Sequence, residues 1–374
     1  MDFEIVVYNV EGFNIKRDAI NQEDLSNNIC IGEIVGSNKP YCIRVNEMLR
    51  HTLIVGTTGS GKTTTASIIC SNLLKKGKKI VVLDWNGEYY EILKKLGVKD
   101  EYIVLFDKHN PLRINPFEYK SEENYEEYVE QIIDILESVL QLTTPQTYFL
   151  YQTFINKRKD ISSFKALLET LSKETFDSEG YAGREAKYAL VRKIRPLTCS
   201  TAKQIFSKTS NLETIFNREN YEPKIFIVDL SWITNTTLRK LYTLFLLKSV
   251  FDKVVHKSRN RSMLKYLIVI DEAHNILVEN NELLQRIFSE IRKFGVGLVA
   301  ISQSIIELPN YVIRNTNMKI FHAIRSFKDI KEVMGLMPPH ANVQNILISL
   351  AVGETLIFDN ISKYPVKVMV KSLD

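Results

Sequence analysis

Gly56-Thr57-Thr58-Gly59-Ser60-Gly61-Lys62-Thr63 is a complete G-x-x-x-x-G-K-S/T phosphate-binding loop. His51 to Val55 (HTLIV) before it reads as a short buried strand, and Thr64 to Lys75 after it as an amphipathic helix. Strand, glycine loop and helix in that order suit anion binding. The glycines let the backbone curl around a phosphate without Cβ clashes. The first N–H groups of the helix lack internal partners, and the helix dipole favours negative charge there. The candidate nucleotide-binding residues are therefore Gly56, Thr57, Thr58, Gly59, Ser60, Gly61, Lys62, Thr63 and Thr64. Lys62 is expected to bridge the outer phosphates and Thr63 to offer its hydroxyl to Mg²⁺, so the loop implies ATP and Mg²⁺ as cofactors.

Outward from the loop, apolar runs alternate with helical stretches. Lys79 to Asp84 (KIVVLD), Tyr102 to Phe106, Lys224 to Leu230, Tyr266 to Ile270, Gly297 to Ile301 and Lys319 to Ile324 suit buried strands. Glu354 to Phe358 and Pro365 to Val370 read as a terminal hairpin around Asp359-Asn360. Ile29 to Val35 and Tyr41 to Val45 read as two strands joined by the turn 36–40. Between Tyr119 and Leu212 the periodicity is helical. Tyr125 to Leu142 puts Val129, Ile132, Ile133, Leu136, Val139 and Leu140 on one face, and 164–171 and 184–194 continue the pattern. The acidic start (Glu118, Glu122, Glu123, Glu126, Glu127) suits a solvated face or a helix N-terminus. The expected fold class is α/β, with a mostly parallel central sheet, an all-helical insertion and a short N-terminal β region. The expected division is 1–48 for the N-terminal β region, 49–118 with 213–374 for the ATPase core, and 119–212 for the insertion.

Three strand ends carry chemistry. Tyr266 to Ile270 runs into Asp271 and Glu272. Beside a phosphate loop, the first acid is placed to hold Mg²⁺, so Thr63 and Asp271 are the candidate metal ligands. Glu272 is placed to polarise a water for in-line attack on the γ-phosphate. The run Asp271-Glu272-Ala273-His274 also spells a box used by some helicases, but the glycine-arginine motif that accompanies it is absent. Asp84 ends the next strand, in Asp84-Trp85-Asn86-Gly87-Glu88-Tyr89, and a carboxylate there would lie near the nucleotide or Mg²⁺. Gln303 follows the strand 297–302; it can touch the γ-phosphate or the attacking water, or simply cap the strand.

The composition bounds the rest. The chain has 374 residues, 45% hydrophobic and 25% charged, which is ordinary for a globular protein with one large core and an insertion, or two domains. A net charge of +5 permits a nucleic-acid partner without requiring one. No basic leader opens the sequence, and the longest apolar run, Leu241 to Val250, is short and holds Lys248, so a cytoplasmic protein without a membrane span is expected. Cys30, Cys42, Cys70 and Cys199 form no C-x-x-C and no zinc spacing, and read as reduced structural residues. His51 and His322 flank apolar strands and read as packed. Lys248 to Lys265, with the loop Arg259-Asn260-Arg261-Ser262, reads either as a phosphate-gripping element or as a solvated helix end, and Lys157-Arg158-Lys159 is a second basic candidate.

Together these pieces resemble the HerA/FtsK group of P-loop motor ATPases, and HerA-like proteins in particular. The matching segments run in family order from about residue 29 to the C-terminus. They are Arg50-His51, GTTGSGKT at 56–63, DWNGEY at 84–89, RINPF at 113–117, VDLS at 228–231, IDEAH at 270–274, RKFGVG at 292–297, ISQS at 301–304 and GETLIF at 353–358. The Walker elements are generic; DWNGEY, RKFGVG and the Ser-Gln pair are more specific. The resemblance implies a RecA-like ATPase domain with a helical insertion, in a homo-hexameric ring that drives double-stranded DNA through its pore. It implies that Arg50 reaches a neighbouring subunit's γ-phosphate and that Arg292 acts within its own subunit. Together with the strand-end residues this gives Lys62, Glu272, Asp271, Gln303, Asp84, Arg50 and Arg292 as candidate catalytic residues. HerA-like helicases usually carry a longer N-terminal β-barrel, and the strands at 29–45 would be its remnant.

The function these features imply is an ATP-hydrolysing double-stranded DNA translocase or helicase of the HerA-like type, acting with a NurA-type nuclease or another effector in DNA end processing. Two alternatives keep the loop and change its use: a DNA-packaging, conjugation or secretion-type ATPase, and an ATP-gated scaffold for a partner nuclease or effector.

Overall fold

The computed structural model describes residues 5–10, 13–18, 27–37, 39–119, 124–173, 180–209, 212, 215, 222–257, 263–337, 342–359 and 364–371. The basic loop 259–262 and Asn360 lie outside these residues, as do Glu122 and Glu123 of the acidic stretch.

The strands are β1 (Ile5–Val10), β2 (Phe13–Asp18), β3 (Asn28–Ile34), β4 (Pro40–Arg44), β5 (Thr52–Val55), β6 (Lys79–Asp84), β7 (Ile103–Phe106), β8 (Ile225–Asp229), β9 (Tyr266–Ile270), β10 (Val296–Ser302), β11 (Met318–Phe321), β12 (Glu354–Phe358) and β13 (Val366–Val370). β1 and β2 pair with each other, and the rest form an eleven-stranded sheet in the order β4-β3-β13-β12-β11-β5-β10-β9-β6-β8-β7. From β11 to β7 all neighbours are parallel. From β11 through β12, β13 and β3 to β4 they are antiparallel. The expected N-terminal hairpin β3–β4 is present. β3 pairs with β13 and extends the main sheet.

The parallel strands read as continuous apolar runs because both faces are covered. Successive residues alternate between two cores. Leu53, Val55, Val81, Leu83, Ile268 and Ile270 face one. Ile54, Ile80, Val82, Leu267 and Val269 face the other, against Ile68, Ile69 and Leu73 of helix α1 (Lys62–Lys75). The first core is roofed by the helices between β7 and β8 (Tyr125–Leu140, Thr144–Asn156, Phe164–Lys173, Gly180–Ile194 and Ser200–Ile205) and by the helix Thr236–Lys257. Tyr125–Leu140 buries Val129, Ile132, Ile133, Ile135 and Leu136, and Val139 and Leu140 pack half-buried against the same core, so the expected face is present and widened by Ile135. The extra width follows from its two neighbours, since it packs against both Thr144–Asn156 and Thr236–Lys257.

The expectation that all four cysteines are reduced is overturned. Cys30 and Cys42 lie opposite one another in the β3–β4 register and form a disulfide. Hairpin pairing brings together two residues whose sequence spacing gives no hint of it. Cys70 is buried, which pushes its thiol up to about 12, and Cys199 accepts from Ala202 N at 3.4 Å. Among the described residues no helix is long and apolar enough to cross a membrane.

Candidate nucleotide site

The phosphate loop joins β5 to α1 at the C-terminal edge of the parallel strands, where α/β sheets place their ligands. Gly59 and Gly61 adopt φ values of +75° and +105°, which L side chains rarely take. At Gly56 the constraint is space: a Cβ there would sit 2.5 Å from Cβ of His322. α1 opens at Lys62, so the N–H groups of Lys62, Thr63 and Thr64 have no intrahelical acceptor and face the loop. Lys62 Nζ donates to Thr57 O at 3.1 Å. Burial holds its ammonium below the usual lysine range, although Glu272, Asp271 and Glu88 pull the other way.

The strand-end residues converge on this loop. Thr58 Oγ1 donates to Gln303 Oε1 at 3.0 Å, and Gln303 Nε2 donates to Glu272 Oε1 at 2.9 Å. A hydroxyl, an amide and a carboxylate thus form one chain across the ends of β5, β10 and β9. Glu272 adopts φ +46°, an uncommon value for a residue with a side chain, as strained functional positions often do. Its Oε2 is buried, lies 3.3 Å from His274 Nδ1 and makes no hydrogen bond. Asp271 beside it is buried, and burial, with Asp84 and Glu272 near, raises its carboxyl to about 8. Asp84 is nearby but committed: it accepts from Gly87 N at 2.8 Å and Tyr89 N at 2.9 Å, and burial raises it to about 6. It therefore shapes the 84–89 turn and aims exposed Glu88 at the site, whose charge both Lys62 and Asp271 feel.

The donor set fits Mg²⁺. Among the described residues no cluster of three or more His, Cys, Asp and Glu forms a protein cage. Mg²⁺ is normally held by one or two protein oxygens plus phosphates and water. Thr63 hydroxyl and Asp271 would supply those oxygens, and a dication there would relieve the crowding of buried carboxyls that raises Asp271.

Arg50 and Arg292 stand elsewhere. Arg50 precedes β5 and Arg292 precedes β10, so both sit at the N-terminal edge of the sheet, whereas the loop and Gln303 sit at the C-terminal edge. β10 has seven residues and spans roughly 20 Å, well beyond the reach of an arginine side chain. The expected action of Arg292 within its own subunit is thus corrected: it cannot reach the phosphate loop that its own strand leads to. Both side chains are exposed and flank His51, which feels the Arg292 charge.

The family model for the central domain of helicase HerA matches residues 29–250, more than half of the chain. The chain belongs to the HerA helicase family. A second model, for the HerA-like C-terminal part, matches residues 156–371. The chain is 26% identical to the DNA double-strand break repair helicase HerA of Sulfurisphaera tokodaii, over 92% of its own length and 70% of the relative's. It is 25% identical to that of Saccharolobus solfataricus, over 91% and 68%. Its fold is similar to that of VirB4 of Thermoanaerobacter pseudethanolicus, with a TM-score of 0.72 at 16% identity, covering 95% of this chain and 98% of that one. It is also similar to plasmid coupling protein TrwB in complex with ADP and Mg²⁺, with a TM-score of 0.65 at 14% identity, covering 95% and 93%.

In this HerA-family chain, the loop's supports were not legible as such. His322 leaves β11 and bonds Ser60 O through Nδ1 at 2.9 Å and Thr65 Oγ1 through Nε2 at 3.0 Å. Thr57 N donates to Ala323 O, Gly56 N to Ser302 O and Gly353 N to Ser60 O. The Ser-Gln segment, the polar break in KIFHAI and the glycine of GETLIF thus all hold the loop. Lys248, one of the candidate DNA-contact residues, is withdrawn from that role. It is buried, pairs with Asp252 at 2.7 Å and lies over the ring of Tyr128.

His51 is packed, as expected, with a defined charge state. Its Nδ1 accepts from Leu298 N at 3.0 Å, so the ring is neutral and Nε2 donates to Phe288 O at 3.0 Å. Burial lowers its pKa from 6.5 to about 4. A depressed folded-state value means that this stability is present above pH 6.5 and is lost as pH falls toward 4. Urea unfolding of wild type and His51→Gln at pH 7 and pH 4.5 should show the wild-type advantage shrinking by about 2 kcal/mol at the lower pH. An advantage independent of pH would mean that the ring is not held neutral.

Proposed function

We propose that this chain is an ATP-driven motor that hydrolyses ATP at the phosphate loop and moves double-stranded DNA through a ring of like subunits, a homo-hexamer. The observation that carries the reading is the Thr58–Gln303–Glu272 chain, which ties a water-activating carboxylate to the loop. In this reading the loop N–H groups and Lys62 bind the phosphates, and Thr63 and Asp271 would hold Mg²⁺, which would supply positive charge against that of the phosphates. Glu272 takes the proton of the attacking water. Phosphate oxygens compete for the Gln303 amide and release Glu272 toward that water. Arg50 and Arg292, remote from their own loop, complete a neighbour's site. Repair of double-strand breaks, which the relatives' names state, and a nuclease partner of the NurA type extend the proposal to DNA end processing in the cytoplasm.

The test is ATP hydrolysis with and without long double-stranded DNA, using Glu272→Gln as the blank. Stimulation of tenfold or more is expected. Turnover indifferent to DNA would overturn the DNA motor in favour of another cargo, and ATP binding without turnover would favour a nucleotide-gated scaffold.

A further inference from the structure

Arg158 sits at the rim of an aromatic pocket in the helical part of the chain. Its guanidinium carbon lies 4.1 Å from the ring centroid of Tyr125 and 5.8 Å from that of Tyr119. Tyr119 packs in turn on Tyr128 and Tyr125, with centroids 4.6 and 5.6 Å apart. These rings and the exposed Arg158 line a cavity of about 80 Å³. The hydroxyls of Tyr125 and Tyr128 are engaged with main-chain carbonyls, Lys248 Nζ lies over the ring of Tyr128 and Arg158 over that of Tyr125, so the exposed plane of this stack is the Arg158 guanidinium. Arg158 and its neighbours Lys157 and Lys159 are exposed, and none has a carboxylate partner among the described residues. Asp160, the acid next in the chain, is exposed and pairs with none of them.

We propose that this pocket binds an unpaired nucleotide of a single-stranded nucleic acid, with the base stacked against Arg158 and the tyrosine rings and the phosphates held by Lys157, Arg158 and Lys159. A guanidinium lying over a ring keeps its N–H edge free for bidentate contact with a phosphate and one face free to continue the stack. Three unpaired cations repel a cationic ligand, which an aromatic pocket alone would otherwise suit. An acidic peptide would satisfy the charges but leave the exposed guanidinium plane unstacked. In a duplex the base faces are covered by stacking, so a strand with exposed bases is the ligand that uses both features. The cavity is well below the several hundred Å³ that enclose a free small molecule, so the base inserts an edge at the mouth while the strand runs on outside. The site lies outside the ATPase machinery and does not depend on the motor reading.

The test uses the full chain and fluorescein-labelled twelve-nucleotide probes in low salt, followed by anisotropy. The probes are oligo-dT, oligo-rU and an abasic DNA strand with the same phosphates. Oligo-dT is expected to bind about tenfold tighter than the abasic strand, and that preference should fall to within about twofold in Arg158→Ala. Arg158→Lys, which keeps the charge but not the plane, should lose most of the preference while retaining abasic binding. ATP hydrolysis without nucleic acid should be unchanged in both variants, which certifies their fold. Equal affinity for oligo-dT and abasic DNA, or a preference that survives Arg158→Ala, would overturn the base pocket, as would no binding of any strand. Oligo-rU separates RNA from DNA as the natural source. A blunt duplex tested in the hydrolysis assay reports on the motor reading separately, so either proposal can fail alone.

Discussion

Glu272→Gln should lower single-turnover ATP hydrolysis by about 10²- to 10³-fold while leaving the affinity for ATP within a few-fold of wild type. The substitution is nearly isosteric and removes only the basicity of the carboxylate. The phosphate loop, the Lys62 ammonium and the helix N-terminus are untouched, so the contacts that hold the triphosphate persist. What is lost is the acceptor for the water's proton. Gln303 keeps a partner, because the new amide still offers an oxygen to its Nε2 donor, now 2.9 Å from Glu272 Oε1. A fall in hydrolysis therefore cannot be attributed to a collapsed loop. Gln303→Ala, which removes the bridge to Thr58, should lower hydrolysis less, since it frees Glu272 without abolishing it. Quench-flow hydrolysis and equilibrium binding of a fluorescent ATP analogue measure the two quantities separately. Turnover of Glu272→Gln within tenfold of wild type would remove Glu272 from water activation and leave Asp271 or Glu88 to be considered.

Much of this site could be read from the chain because parallel strands announce their own polarity. An apolar run that ends in a polar residue places that residue at the C-terminal edge of the sheet. Asp84, Asp271–Glu272 and Gln303 follow three such runs, and the phosphate loop follows a fourth. The same rule places Arg50 and Arg292 at the other edge, because each precedes a strand. The within-subunit role for Arg292 came from resemblance rather than from strand polarity, and the strand order overrules it. What was not legible depends on register and tertiary approach. Cys30 and Cys42 meet only because a hairpin aligns them. Asp84 reads as an acid near the nucleotide or Mg²⁺, yet two main-chain N–H groups engage it. His322 looks like a packed histidine and is one, but what it packs is the underside of Gly56 and Ser60. Lys248 looks like part of a basic stretch, yet a half-exposed Asp252 one turn on and the ring of Tyr128 draw it into the core.

Arg50→Ala should lower steady-state hydrolysis by about 10³-fold or more in the assembled protein, with ATP binding near normal, as loss of an arginine finger does. Lys62→Ala should be inactive for the opposite reason: its loop fails while its arginine is intact. The placement of Arg50 makes the two defects complementary. A site formed between subunits draws its loop from one chain and its arginine from the next, in a head-to-tail contact that closes into a ring. Mixing the two inactive proteins in equal amounts should then restore activity, because an Arg50→Ala subunit followed by a Lys62→Ala subunit forms one intact site. Random assembly puts about a quarter of the interfaces in that order, so recovery up to about a quarter of the wild-type rate is expected, less if the ring requires several active sites in succession. If Arg50 served its own loop, no mixture would contain an intact site, and the rate would stay at the level of the separate variants. Arg292→Ala is expected to behave like Arg50→Ala in the same mixing experiment, because the seven residues of β10 separate it from its own phosphate loop just as β5 separates Arg50. Recovery with Arg50→Ala but not with Arg292→Ala would assign the second arginine to packing beside His51 rather than to the neighbour's γ-phosphate.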